Sequence, residues 1–220
     1  MKFVLVTIAY GLIFVVLELV AANLRPPAEV ARKIGHMLAG IAAALLPFVL
    51  DYKEIALLGA LFVPAVLVSM KLQMFKSVHS VSRKTYGEVY FPLAICLSAL
   101  LFPDQLLYSY AVLTLGVSDA LASLVGVRFG RKKYKVRDGH KSYEGSIAFF
   151  VSTLLIGIGL VLWLVEDAAD LAVVAIWSGI LASALTVVEA RGHKGVDNLY
   201  VPLAAAGLMG VLQILGVLHR

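Results

Sequence analysis

The sequence is poor in the residues that make a chain soluble or cross-link it. Charged residues are 15% of its 220 positions, against about 25% in an average globular chain. There is a single cysteine, Cys96, so an intramolecular disulfide and a thiolate-ligated zinc site are both excluded. Neither a His-Glu-x-x-His motif nor a Gly-x-x-x-x-Gly-Lys-Ser/Thr loop occurs: Gly126-Val-Arg-Phe-Gly130 has the wrong spacing, and Gly139-His-Lys-Ser142 lacks the Gly-Lys-Ser run. Long polar stretches, low-complexity tracts and internal repeats are missing too. What fills the chain is apolar: 61% hydrophobic residues and a mean hydropathy of +0.92. They lie in runs rather than in short alternating segments, so the fold class is an all-α polytopic membrane protein, one integral-membrane domain over 1–220.

Taking a span as about 17–25 apolar residues, the runs are 3–22, 34–50, 55–70, 89–102, 106–127, 145–165, 171–188 and 199–218. That is eight transmembrane helices, or seven if the short run 89–102 does not cross. The first reads as a retained helix, because no small-x-small cleavage site follows it. With the N-terminus outside, the loops 23–33, 71–88, 128–144 and 189–198 face the cytosol and hold sixteen of the nineteen Lys and Arg. The opposite side keeps Lys2, Lys53 and Arg220 beside six acidic residues, as the positive-inside rule requires. The net charge of +5 is thus topogenic rather than a sign of nucleic-acid binding. Size and lack of a transit peptide suit a prokaryotic cell membrane, or the endoplasmic reticulum in a eukaryote.

The chemistry is expected at the cytosolic ends. Asp119 falls about eight residues, or about 12 Å, inside the fifth span. A carboxylate at that depth marks function by default. Ser123 shares its face at i+4. The following loop ends in Gly139-His-Lys-Ser-Tyr-Glu-Gly-Ser146, where a helix begins. Exposed amides, glycines and a positive dipole end favour phosphate there, making Lys141, Ser142, Gly145 and Ser146 a candidate cradle with Glu144 among them. Glu189 ends one span, and Asp197 and Asn198 open the next. With Asp119 they offer hard oxygen ligands for Mg²⁺, or, for Asp197 and Asn198, a helix cap. Arg32, His36 and Gly40 form a stripe entering the second span beside Lys33, and Arg83, Tyr86 and Glu88 reach the same interface. Glu18 is expected to pair with a basic neighbour such as Lys33. Small-residue faces at 157–159 and 207–210 pack helices within one chain or between chains, which leaves the oligomeric state open.

In order along the chain, Arg32-Lys33 with His36, Tyr86-Gly-Glu-Val-Tyr-Phe-Pro92, Ser118-Asp-Ala-Leu-Ala-Ser-Leu-Val-Gly126 leading to Phe129-Gly-Arg131, Lys141-Ser-Tyr-Glu-Gly-Ser146 and Asp197-Asn-Leu-Tyr-Val-Pro202 together resemble the CTP-dependent polyprenol kinase family. That family includes dolichol kinases, phytol kinases and CTP-using diacylglycerol kinases. The resemblance covers residues 32 to 202, and its specificity lies in the combination. It implies CTP or another nucleoside triphosphate as donor, a membrane-dissolved isoprenoid alcohol as acceptor, and Mg²⁺ on some of Asp119, Glu189 and Asp197. Arg128, Gly130, Arg131 and Lys141 would serve the nucleotide, and Asp119 or Glu189 the alcohol proton. The Lys-Ser-x-Glu-Gly element is also similar to the Lys-Lys-Thr-x-Glu-Gly run of phosphatidate cytidylyltransferases, the nearest rival. Their longer Asp-Arg-x-Asp-Ser motif is absent. An ion-coupled transporter is the other class that buried carboxylates permit.

Overall fold

The computed structural model describes residues 1–72, 86–136, 139–165, 170–192 and 195–217. Among them are eight helical rods: α1 (Lys2–Leu24), α2 (Ala28–Ala44), α3 (Tyr52–Lys71), α4 (Gly87–Leu101), α5 (Gln105–Phe129), α6 (Tyr143–Leu164), α7 (Leu171–Ala190) and α8 (Asp197–Ile214). Five of these, α1, α3, α5, α6 and α7, are long and apolar enough to cross a membrane, while α4 is apolar but shorter. Each rod coincides with an expected span, with one clear shift. The second starts at Ala28 rather than near 34 and ends in a 3₁₀ turn, Leu46–Phe48, at Pro47.

The rod ends follow local chemistry. Arg25 closes α1 in the left-handed conformation (φ 48°), and Pro26-Pro27 prevents its continuation. Asp51 and Glu54 form a reciprocal capping box at α3. Asp104, Ser142 and Asp170 each turn a side-chain oxygen onto a first-turn amide of α5, α6 and α7.

The helix α5 is the central element. Its outer faces join two buried apolar clusters: Tyr108, Val112 and Leu115 pack with α2, α3 and α4, and Leu107, Tyr110 and Ala111 pack with α6, α7 and α8. Half of its apolar stretch is buried, against 6% for α1, which therefore sits at the periphery. Glycine brings α2 and α5 into backbone contact: a Cβ on Gly40 would lie 2.6 Å from the Cα of Gly116. Tyr108 and Ser109 hydroxyls then donate to the carbonyls of Ala43 and Ala44. Within α5, Thr114–Ser118 form a π turn immediately before Asp119. Such single wide turns gather at functional sites.

The bundle is all α-helical, as expected, and the loop 128–144 adds one antiparallel hairpin to it, β1 (Lys133–Val136) with β2 (Gly139–Ser142), paired Lys133 to Ser142 and Tyr134 to Lys141. Its signal is the alternation Lys-Tyr-Lys-Val, in which the lysines are exposed and Tyr134 and Val136 half-buried. The same lysines read as a charge block hide that alternation. Gly139 (φ 151°) adopts a backbone conformation that other residues rarely reach.

Candidate active site

One end of the bundle gathers the starts of α2, α4, α6 and α8, the later half of α5 and the close of α7. Lys33, in the second turn of α2, forms an ion pair with Asp119 of α5. Both are buried, at 5% and 8% exposure. A charge at this depth is tolerated only with its partner, since removing either leaves an uncompensated ion. Beside this pair Glu29 accepts from Arg32 Nη2 at 2.6 Å and Nε at 3.2 Å, and from Ser123 Oγ at 3.0 Å. Glu29 is a residue that sequence reading passed over. Its signal was the i, i+3 spacing to Arg32 in the first turn of a helix that starts earlier than its apolar run.

The second ion pair is built by the hairpin. Tyr134 OH and Ser146 Oγ are 2.8 Å apart, and the Tyr134 and Tyr143 rings meet at 5.1 Å, which anchors the hairpin on α6. Lys141, opposite Tyr134, thereby reaches across to α7 and α8. Its Nζ lies 2.6 Å from Glu189 Oε1 and 3.7 Å from Asp197 Oδ2, and donates to the Glu189 carbonyl. Burial pushes the Lys141 ammonium down, but Glu189 and Asp197, with Asp119 farther off, more than offset it and hold it above the ordinary lysine range. Glu189 is 6% exposed, and its Oε2 is buried with no hydrogen-bond partner among the described residues. Gly192 makes room for this arrangement: a Cβ there would lie 2.5 Å from Asp197 Cβ. It too escaped the sequence reading, because a glycine in a short loop is unremarkable until its neighbour is known.

The expected cradle is organised differently. Ser142 Oγ takes the Gly145 amide at 3.1 Å as a helix cap, Ser146 bonds Tyr134, and Glu144 Oε1 accepts from the Lys132 amide. Gly145 and Gly130 sit where backbone and Ser142 press closest: added Cβ atoms would meet Ala122 O at 2.7 Å and Gly126 O at 2.3 Å. Their glycines are thus required for packing. Arg128 and Arg131 are exposed, with Arg128 over the Phe129 ring at 6.0 Å. Asn198 donates to the Gly87 carbonyl at 2.8 Å, pinning α8 to α4. At the start of α4 Tyr86 is exposed and Glu88 buried. Gly40 serves the α2–α5 contact, the His36 ring lies tilted against Phe91 with centroids 4.7 Å apart, and Arg83 lies outside the described residues.

Among the described residues no group of three His, Cys, Asp or Glu is close enough to hold a metal ion. Asp119 is committed to Lys33. The pair Glu189 and Asp197 still fits Mg²⁺, which takes one or two carboxylates plus substrate phosphates, and Glu189 Oε2 has a free acceptor.

Comparison with known proteins bears on what this cluster does. No family model matches the chain, and no solved structure matches it. It is 30% identical over 200 residues to a phytol kinase of Synechocystis, covering 89% of this chain and 84% of that protein. Over 92 residues it is 34% identical to a dolichol kinase of Schizosaccharomyces pombe, which is 42% of this chain and 17% of that protein. An uncharacterized protein of Methanocaldococcus jannaschii is 34% identical over 70 residues, or 32% of this chain and 35% of that protein. Apolar helices long enough to span a bilayer, ion pairs drawn together at one end of the bundle, and a near full-length relationship to a phytol kinase make the chain an integral membrane protein that belongs to the polyprenol kinase family.

Proposed function

We propose that this protein transfers the γ-phosphate of a nucleoside triphosphate, CTP by the family resemblance, to the hydroxyl of a long-chain isoprenoid alcohol. The observation that carries the reading is the relationship to a phytol kinase over 89% of the chain. The site supports it. Phosphoryl transfer demands positioning and charge neutralisation more than covalent chemistry, and the cluster places two lysines and three carboxylates at one end of a membrane bundle. An isoprenoid alcohol presents its hydroxyl at that depth while its tail stays in lipid.

In this reading Lys141 leaves Glu189 to neutralise the nucleotide phosphates, and Asp119, oriented by Lys33, takes up the alcohol proton. Glu189 and Asp197 would hold Mg²⁺, which neutralises charge on the phosphate oxygens when bound. The N-terminus lies outside, the eight rods cross the membrane, and the cluster faces the cytosol, in keeping with the distribution of Lys and Arg.

The test is a radiochemical assay of the purified protein in detergent with γ-labelled CTP, ATP or GTP, Mg²⁺, and geranylgeraniol, phytol, dolichol or diacylglycerol. Label is expected in an isoprenyl phosphate, with CTP the preferred donor. Release of pyrophosphate on addition of phosphatidate, with no alcohol phosphorylated, would move the protein to the cytidylyltransferases.

A further inference from the structure

Between α1, α2, α3 and α4 lies a cavity of about 410 Å³, within the about 300–1,000 Å³ of small-molecule pockets. Its wall is overwhelmingly apolar: Tyr10 and Gly11 of α1, Ala39 of α2, Phe62 of α3 and Phe91 of α4 contribute. Its polar lining is the Thr7 and Ser69 hydroxyls, the Tyr10 phenol, His36 and Glu88. His36 is 7% exposed, and its Nδ1 is buried without a hydrogen-bond partner among the described residues. An unpaired polar atom in such a place is costly and calls for a partner that the described residues do not supply. One turn earlier on the same helix, Lys33 holds Asp119. The cavity therefore runs from an apolar interior to a polar end that adjoins the ion pair. Its outer wall is α1, the least buried of the candidate spans, so a single peripheral helix separates it from the bilayer on that side.

A ligand matched to these features has a long aliphatic body and a single polar head. We propose that the cavity takes the tail of the acceptor alcohol and that His36 is a positioning residue, hydrogen-bonding the hydroxyl so that it faces Asp119. This rests on the kinase reading above and adds to it where the acceptor sits and what limits its length.

Gly11 provides the handle. It lines the cavity, and a Cβ built on it meets nothing within 4 Å, so a larger side chain can start from this position, and Gly11→Leu places apolar bulk at the cavity wall. Gly159→Leu, at an equally open and exposed position on α6, is the control. The full-length protein in detergent is photolysed with a geranylgeraniol analogue bearing a terminal diazirine, and the adducts are mapped by mass spectrometry. In parallel, kcat/KM is measured for geranylgeraniol and geraniol.

Adducts on α3 and α4 that disappear in Gly11→Leu are expected, together with a fall of about tenfold in the geranylgeraniol-to-geraniol ratio that Gly159→Leu does not share. For His36→Ala, kcat is expected to fall about tenfold with the nucleotide KM unchanged, and His36→Asn, which keeps a hydrogen-bonding group, to recover part of it. Adducts elsewhere, or an unaltered ratio in Gly11→Leu, overturn the cavity assignment even where phosphate transfer is intact. Unaltered kcat in His36→Ala removes the positioning role. Adducts in the cavity with no alcohol phosphorylated uphold the tail site and overturn the kinase reading instead.

Discussion

At the scale of single residues, the two ion pairs make different predictions. Asp119→Asn keeps the shape of the Lys33 contact but leaves the buried ammonium uncompensated, so phosphoryl transfer should fall by about 10²-fold or more and the melting temperature should drop with it, whereas Asp119→Asn combined with Lys33→Met should regain stability and not activity. Lys141 makes a different prediction because its ammonium is held above the ordinary lysine range by Glu189 and Asp197. A raised folded value means stability that is complete below the unfolded value of about 10.4 and is lost as pH climbs through the folded one. The gap in melting temperature between wild type and Lys141→Met should therefore be steady through neutral pH and close under strongly alkaline conditions. A gap that already shrinks between about pH 6 and 8 would mean that Lys141 is not the group responsible. At this scale the sequence was informative about which side chains are engaged in ion pairs. Asp119, Lys141, Glu189 and Asp197 stand out as ionisable groups at the ends of apolar runs, and each of them is ion-paired, Asp119 with Lys33 and Lys141 with Glu189 and Asp197. Their partners were not legible. Lys33 is separated from Asp119 by 86 positions and Lys141 from Glu189 by 48, and nothing local announces such pairings.

At the scale of elements, glycine sets how closely the charged helices approach. The Gly40–Gly116 contact joins α2 to α5 two turns beyond Lys33, and both sides of it are backbone. In Gly116→Ala the new Cβ falls 2.6 Å from the Gly40 Cα, so the helices must part. Overpacking of this kind costs about 1–3 kcal/mol. Thermal stability in detergent should drop accordingly, and activity should drop further than in a variant of equal stability altered far from the site, because Lys33 and Asp119 ride on the two helices. The helices themselves were readable from hydropathy, since a run of apolar residues has few alternatives in lipid. The hairpin was not: its lysines serve two ends, signalling topology by composition and strand by alternation, and composition is the louder signal.

At the scale of the whole molecule, orientation is the property most open to a direct check. Cys96 is buried, and Cys96→Ala leaves a background free of thiols on which single cysteines are introduced. With the N-terminus outside, a cysteine at Lys135 should be protected from a membrane-impermeant maleimide in intact cells and labelled in inverted vesicles, and one at Lys53 should behave in the opposite way. The reverse pattern would turn the site to the other face. The count of positive charges gives this expectation without any coordinates, whereas the α1-walled cavity has no counterpart in the sequence. Tyr10, His36, Phe62 and Phe91 come from four helices, and hydropathy treats their neighbours alike.

The π turn at Thr114–Ser118 has a consequence for how this chain tolerates change in length. Deleting one residue from an α-helix ordinarily swings everything downstream by about 100°. A π turn is a helix that already carries one residue more than its path requires, so losing a residue there lets the turn tighten to α geometry while the segments on either side keep their faces. The helix that bears Asp119 thus has one position of slack directly ahead of its carboxylate. Relatives one residue shorter in this helix would keep the same bundle and differ in the seating of that single side chain.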